Sequence, residues 1–427
     1  MQTNLYTMRV LIVNTSEKTG GAAIAANRLM EALKNNGIKA KMLVRDKETG
    51  QITVATIPHS PFLKAKFIWE RFVIWRANHF KKHNLFQVDL GNTGTDITSL
   101  PEFKEADIIH LHWINQGFLS LKNIRRIIES GKPVVWTMHD MWPFTGICHY
   151  SGECINYQTT CHNCPMLING GSQHDLSTKI FRQKQHMLRG AHITFVACSR
   201  WLESMAQKSA LLVGQQVTSI PNTINANVFH PADRRQARLQ YNLPLEKKLL
   251  LFGSLKATDE RKGLAYLAEA CKLINEQSPE LAEQLGIIIV GKQSEDVRDR
   301  FPFPVYAIDY VEHERRMAQI YNAADAYVTP SLEDNLPNTI VESLSCGIPC
   351  VGFRIGGIPE MIDHLQNGYL AEPRNAADLA DGIRYVLRPE LSEHFSTMAV
   401  KKALSAYGET NVANKYIAIY QQALRQK

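Results

Sequence analysis

Val10-Leu11-Ile12-Val13 is a short apolar run with no polar alternation, and it sets the tightest limit on the fold. Such a strand must be covered on both faces, which is the situation in parallel sheets flanked by helices. Gly20-Gly21 follow, and then Ala22, Ala26, Leu29, Met30 and Leu33 recur at helical spacing, with Gly37 as a stop. The same alternation predicts strands at Ala40–Val44, Ile52–Ile57, Ile108–Leu111, Val134–Thr137 and Ile193–Ala197, with helices such as Leu121–Glu129 between them. A second series predicts strands at Leu249–Phe252, Ile287–Val290, Ala326–Thr329 and Cys350–Phe353. Helices are predicted at Gly263–Asn275, Glu312–Asn322, Thr339–Cys346 and Ala376–Val386. Two such series make the chain α/β, with two doubly wound domains. A chain of 427 residues has room for both. The boundary is placed at Ile220–Asn225, giving domains over 1–221 and 222–408. The last helical pattern, Val412–Arg425, follows the second sheet, so 409–427 is expected to cross back to the first domain.

Composition closes off several classes. The chain is 44% hydrophobic and 21% charged, the balance of an ordinary globular protein. It contains no run of about 18 apolar residues, so no membrane-spanning helix is expected. Met1–Thr7 is too short and polar for a secretory signal, which points to the cytoplasm. The net charge of +7 permits anionic partners and names none. Part of it is local: Pro61–Phe86 carries Lys64, Lys66, Arg71, Arg76, Lys81 and Lys82 against Glu70, interleaved with aromatic and aliphatic residues. That pattern reads either as an amphipathic helix at the inner face of a membrane or as a packed helix with a solvated basic face. No nucleic-acid motif accompanies the charge, so nucleic acid is not an expected partner.

In doubly wound domains, ligands bind beyond the carboxyl ends of the strands. Gly20 and Gly21 sit there after the first strand, before a helix N-terminus suited to an anion. The spacing matches neither the dinucleotide glycine pattern nor the P-loop. His139 and Asp140 follow Val134–Thr137, where an imidazole can bond a substrate hydroxyl or serve only the loop. Arg261 and Lys262 precede a helix start, where positive charge opposes the macrodipole unless an anion such as a diphosphate lies between them. The densest stretch runs from Pro330 to Gly347. It sets Asp334 in a loop, Asn335, Leu336, Pro337 and Asn338 at a helix start, and Glu342 on the second turn. A carboxylate at Glu342 can accept two bonds from vicinal hydroxyls such as a ribose's. Gly356-Gly357 add a loop after the next strand.

Together, Gly20-Gly21, His139-Asp140, Pro221-Asn222, Lys262-Gly263, Asp334…Glu342 and Gly356-Gly357 resemble the retaining glycosyltransferases of family 4, which have the GT-B fold of two facing Rossmann-like domains. The run from Trp136 to Cys148 looks like the colanic-acid and capsule type. The resemblance implies a nucleotide diphosphate sugar donor on the C-terminal domain and a saccharide acceptor, free or lipid-linked, on the N-terminal one. It implies transfer with retention and no metal or other cofactor in the chemistry. Residue by residue it makes Glu342 the ribose ligand, Lys262 a diphosphate ligand, Asp334 a donor-sugar contact and His139 a sugar-hydroxyl contact near the reacting carbon. Two positions depart from the pattern: the first acid, usually Glu, is Asp334, and the usual Arg after the glycine is Ser254. Arg261 is in place to supply that charge. A nucleotide-sugar epimerase or hydrolase of the same fold, or a non-catalytic binding protein, are the alternatives.

Four of the eight cysteines fall together: Cys148, Cys154, Cys161 and Cys164. In a reducing compartment that spacing suggests a structural zinc that staples the loop after His139. The alternative is four free thiols. Cys198, Cys271, Cys346 and Cys350 read as core fillers.

Overall fold

The computed structural model describes residues 8–58 and 62–426. Pro61, the first residue of the basic stretch, and Met1–Thr7 lie outside them. The chain divides into two units: residues up to Pro221 together with those from Val412 on, and Asn222–Asn411.

The first unit is built on β1 (Arg9–Ser16), β2 (Lys39–Asp46), β3 (Val54–Thr56), β4 (Ile108–Leu111), β5 (Val134–Met138), β6 (Ile193–Ala197) and β7 (Gln216–Ser219). They form one sheet in the order β3-β2-β1-β4-β5-β6-β7, and every pairing is parallel. Val10, Leu11, Ile12 and Val13 are all buried, as a strand covered on both faces requires. Helix α1 (Gly21–Asn35) packs Ala26, Leu29, Met30 and Leu33 on one face, beside Val412, Tyr416 and Tyr420 of the C-terminal helix Glu409–Arg425. The other face is covered by the larger cluster around Trp136, Trp142, Phe144 and Phe195.

The second unit holds β8 (Lys248–Lys256), β9 (Leu285–Lys292), β10 (Val305–Ile308), β11 (Ala326–Thr329), β12 (Cys350–Phe353) and β13 (Gly368–Ala371) in the order β10-β9-β8-β11-β12-β13. These pairings are parallel too. In each sheet the connection direction reverses once, between β1 and β4 and between β8 and β11. Such a switch point leaves a crevice at the strand ends, where α/β proteins bind ligands.

Helix α2 (Phe62–Ala77) is turned opposite to a simple amphipathic packing helix. Its buried residues are Glu70, Arg71 and Ile74. Its exposed ones include Phe62 at 69%, Ile68 at 63%, Trp69 at 55% and Phe72 at 41% of full exposure. The buried charges are partly satisfied: Glu70 Oε1 accepts from the N–H groups of Leu90 (2.7 Å) and Gly91 (2.8 Å), and Arg71 pairs with Asp89, while Glu70 Oε2 and Arg71 Nε have no hydrogen-bond partner. The apolar surface this leaves outside stands beside exposed Lys64, Arg76, Lys81 and Lys82. No helix among the described residues is long and apolar enough to cross a membrane.

Candidate functional site

The site residues of the second unit gather at its switch point. After β8 the chain makes a short helical turn at Glu260–Lys262, started by Asp259, whose side chain accepts from the Arg261 N–H at 3.0 Å. Gly263 then adopts φ +72°, and a Cβ there would stand 1.8 Å from the Pro330 carbonyl oxygen. Only glycine lets the Lys262 loop approach the end of β11 so closely. Across that contact Lys262 Nζ donates to Asp334 Oδ2 at 2.6 Å, and Arg261 donates to the Glu333 carbonyl at 2.7 Å. Ser331 Oγ donates to the same Asp334 oxygen at 3.4 Å. Burial alone favours the neutral acid, but Lys262 and Arg261 hold the Asp334 carboxyl below the usual range. Gly356, at φ +53°, comes equally close on the other side: its Cβ would lie 1.9 Å from the Asp334 carbonyl oxygen. The Gly357 N–H donates to that oxygen at 3.4 Å. Arg261, Lys262, Asp334 and Gly356 therefore form one cluster.

Pro337 caps the helix Asn338–Ser345. Asn335 and Leu336 are buried in the loop before it, and Asn338 accepts from Asn222 at 3.0 Å. Glu342, on the second turn, is buried, and its Oε2 accepts from the Tyr321 hydroxyl at 2.8 Å. Burial, and then the Glu342 charge, push Tyr321 well above the normal phenol value, so it stays a donor. The Ser254 hydroxyl, where the resemblance expects Arg, is buried with no hydrogen-bond partner.

The first unit holds the other candidates. Gly20, at φ +94°, is the N-cap of α1, and no side chain caps that helix. Gly21 is its first residue. Asn14 at the end of β1 accepts from the Trp113 N–H at 2.9 Å, which joins the ends of β1 and β4. His139 lies just past β5, partly buried. Its Nε2 is 2.9 Å from His112 Nδ1, and its Nδ1 is 3.5 Å from Cys198 Sγ. The His112 ring in turn lies 4.3 Å from the ring of His110, tilted by 46°, and His110 bonds Tyr420 and Thr137, each at 2.7 Å. Burial pushes all three down, His110 to about 3 and His139 to about 4, so the row is neutral at pH 7. The His112 Nε2 is buried without a partner. A neutral His139 can donate or accept at a sugar hydroxyl without adding charge.

His110 and His112 were missed by sequence reasoning because a residue of a buried strand, and one just past its end, read as core. Only the His-x-His repeat, rare in such a strand, marked them. His149, next to Cys148 in the chain, bonds Asp140 at 2.7 Å.

Cys148, Cys154, Cys161 and Cys164 all line one small cavity of about 20 Å³, with Ser151 and His162 in the same wall. All four are free thiols. Burial pushes Cys161 up to about 12 and Cys164 to about 11, which keeps them protonated. Among the described residues, no three Cys, His, Asp or Glu side chains are grouped so that they could hold a metal ion. The loop gathers the four expected ligands without bringing them to metal-binding spacing.

A model of the family described as Glycosyl transferases group 1 matches residues 246–389, which span the Lys262–Asp334 cluster and Glu342. A protein of Escherichia coli (strain K12) named WcaC, provisionally assigned as a colanic acid biosynthesis glycosyl transferase, is 23% identical over 97% of this chain and 100% of its own length. An N-acetyl-alpha-D-glucosaminyl L-malate synthase of Bacillus anthracis is 24% identical over 49% of this chain and 55% of its own. Among solved structures, a sucrose-phosphate synthase from Thermosynechococcus elongatus superposes with a TM-score of 0.67 at 16% identity, over 98% of this chain and 100% of that one. Anabaena HepE in complex with UDP-glucose superposes with a TM-score of 0.65 at 16% identity, over 97% and 100%. The two parallel sheets are those of the GT-B fold.

Proposed function

We propose that this chain, which carries a group 1 glycosyl transferase domain, moves a sugar from a nucleotide diphosphate sugar to a growing saccharide in cell-surface polysaccharide assembly. The observation that carries the proposal is the cluster at the β8/β11 switch point, where Arg261 and Lys262 meet Asp334 and Gly356. Without a donor, Lys262 rests on Asp334. A diphosphate would take over that ammonium, and the charge that develops on it as the sugar leaves would be met by groups already in place. Glu342, oriented by Tyr321, would hold the ribose hydroxyls. Asp334 would contact the donor sugar, and His139 a hydroxyl near the reacting carbon. Transfer would retain the anomeric configuration, with the leaving phosphate oxygen taking the acceptor's proton. The protein would act mainly by orientation, and no cofactor is assigned to the chemistry.

Two finer elements belong to the same proposal. The exposed aromatic residues of α2 and the cations around them suit the surface of an anionic bilayer, and hence a lipid-linked acceptor. The cysteine loop would close on one structural zinc ion. The buried Lys184 ammonium, donating to the carbonyls of Trp142 (2.5 Å) and Thr145 (3.1 Å) close by, would balance the thiolate charge. About one equivalent of zinc is expected by elemental analysis of purified protein. Four titratable thiols with far less metal would rule it out.

The central test is Glu342→Ala assayed against a panel of nucleotide sugars. Transfer is expected to vanish while circular dichroism is unchanged. Turnover like that of the unaltered protein would remove Glu342 from the site.

A further inference from the structure

The Asp140 carboxylate beside His139 is held by three donors. The Trp142 N–H donates to Oδ1 at 2.9 Å. Trp113 Nε1 and His149 Nδ1 meet Oδ2 at 3.0 and 2.7 Å. The second ring nitrogen of His149, Nε2, lies 2.7 Å from Asp89 Oδ2. The other Asp89 oxygen receives Arg71 from α2, and Arg71 also donates to the carbonyls of Leu85 at 2.6 Å and Val88 at 3.1 Å. Asp89, Arg71 and Asp140 are buried, and the Trp113 ring lies 5.8 Å from the His149 ring.

We propose that His149 is a positioning residue, a brace between Asp89 and Asp140 that fixes the turn presenting His139. The chemistry of imidazole supports this. A neutral ring has one donor and one lone pair, and the lone pair would face a carboxylate. A ring bonded on both sides by carboxylates is a double donor, and charge-assisted bonds of this kind are short and directional. Asp140 shares a peptide with His139, so fixing its carboxylate fixes the backbone that aims the catalytic imidazole. Arg71 anchors the far end to α2. A residue in direct contact with substrate tolerates little displacement, and the brace lies one step behind it. The inference rests on the role proposed above for His139.

His149→Gln and Asp89→Asn test it. In His149→Gln, kcat is expected to fall on the order of 10-fold or more. Donor KM should stay close to that of the unaltered protein, because the proposed donor contacts Lys262, Asp334 and Glu342 belong to the other unit. Amide exchange over 139–149 should quicken, and that over 246–389 should not. The groups facing His149 are Asp140, Asp89 and, behind them, Glu70 and Arg71 of α2, with Lys184 from the helix Leu176–Leu188. Asp89→Asn removes one carboxylate from this set and should likewise lower kcat, leave donor KM nearly unchanged and quicken exchange over 139–149. Unaltered kcat in His149→Gln, or unaltered exchange over 139–149, would overturn the brace. If the unaltered protein transfers no sugar from any donor tested, the functional proposal fails. The brace is then decided by the exchange data over 139–149 in His149→Gln and Asp89→Asn.

Discussion

Glu342 and its partner Tyr321 show what one substitution can separate. Removing the carboxylate strands a buried phenol donor, which costs about 1–3 kcal/mol, so Glu342→Ala alone mixes a stability effect with a functional one. Glu342→Gln keeps an acceptor for Tyr321 and removes only the charge. It is expected to lose most transfer while unfolding within a few degrees of the unaltered protein, read by thermal denaturation. Gly263 was legible as a glycine at a helix start and Gly356 as a loop glycine, but their reason was not. The close approach of each to a carbonyl, 1.8 and 1.9 Å for a hypothetical Cβ, depends on a strand far away in sequence. The Lys262–Asp334 pair was likewise hidden, although both residues had been singled out, because spacing along a chain says nothing of contact across a sheet. The family resemblance supplied their roles, and geometry supplied the contact.

Elements followed their patterns where burial was symmetric. Leu121–Glu129 and Ala376–Val386 fall where periodicity put them. The strands Gln216–Ser219, Val305–Ile308 and Gly368–Ala371 were not anticipated. They are short strands of four residues at the sheet edges, which β7 and β13 form with β3 and β10. Helix α2 had two readings, a membrane-surface helix or a packed helix with a solvated basic face. It exposes Lys64 and Arg76 together with aromatics, and it buries Glu70 and Arg71, which neither reading foresaw. Neither charge nor hydropathy along the helix could show this, since the burying partner of Arg71 is Asp89, in a different segment. The outward face has a measurable consequence. Sedimentation with vesicles containing anionic phosphatidylglycerol should carry the protein down, and Trp69→Ala with Phe72→Ala should reduce the bound fraction several-fold. Equal binding to neutral phosphatidylcholine vesicles would remove the electrostatic part of the proposal.

At the scale of the whole first unit, buried titratable groups set a pH profile of stability. His110, His112 and His139 have folded values below 6.5, so below pH 6.5 the unfolded chain binds more protons and stability falls. Each can contribute a slope of up to about 1.4 kcal/mol per pH unit in that window. His149 and Lys184 act above it, in opposite senses. Burial disfavours the charged ring of His149, but Asp140 and Asp89 outweigh that and raise it to about 10, so its contribution is complete below 6.5 and lost as pH rises through 10. Burial lowers Lys184 to about 7, so its penalty lifts between 7 and its unfolded value. Urea midpoints should therefore be nearly flat from pH 7 to 9.5 and drop clearly by pH 5. A midpoint unchanged at pH 5 would mean that the histidine row is already protonated when folded.

The C-terminal helix also imposes an order of events during synthesis. Tyr416 and Tyr420 supply the hydroxyls that face Thr137 and His110 inside the first sheet. The ribosome makes that sheet before those tyrosines, with the whole of Asn222–Asn411 between them. Until then the opening unit must wait with a polar pair uncovered in its core, while Asn222–Asn411 is made in one uninterrupted stretch. The first unit is thus begun before the second and completed after it.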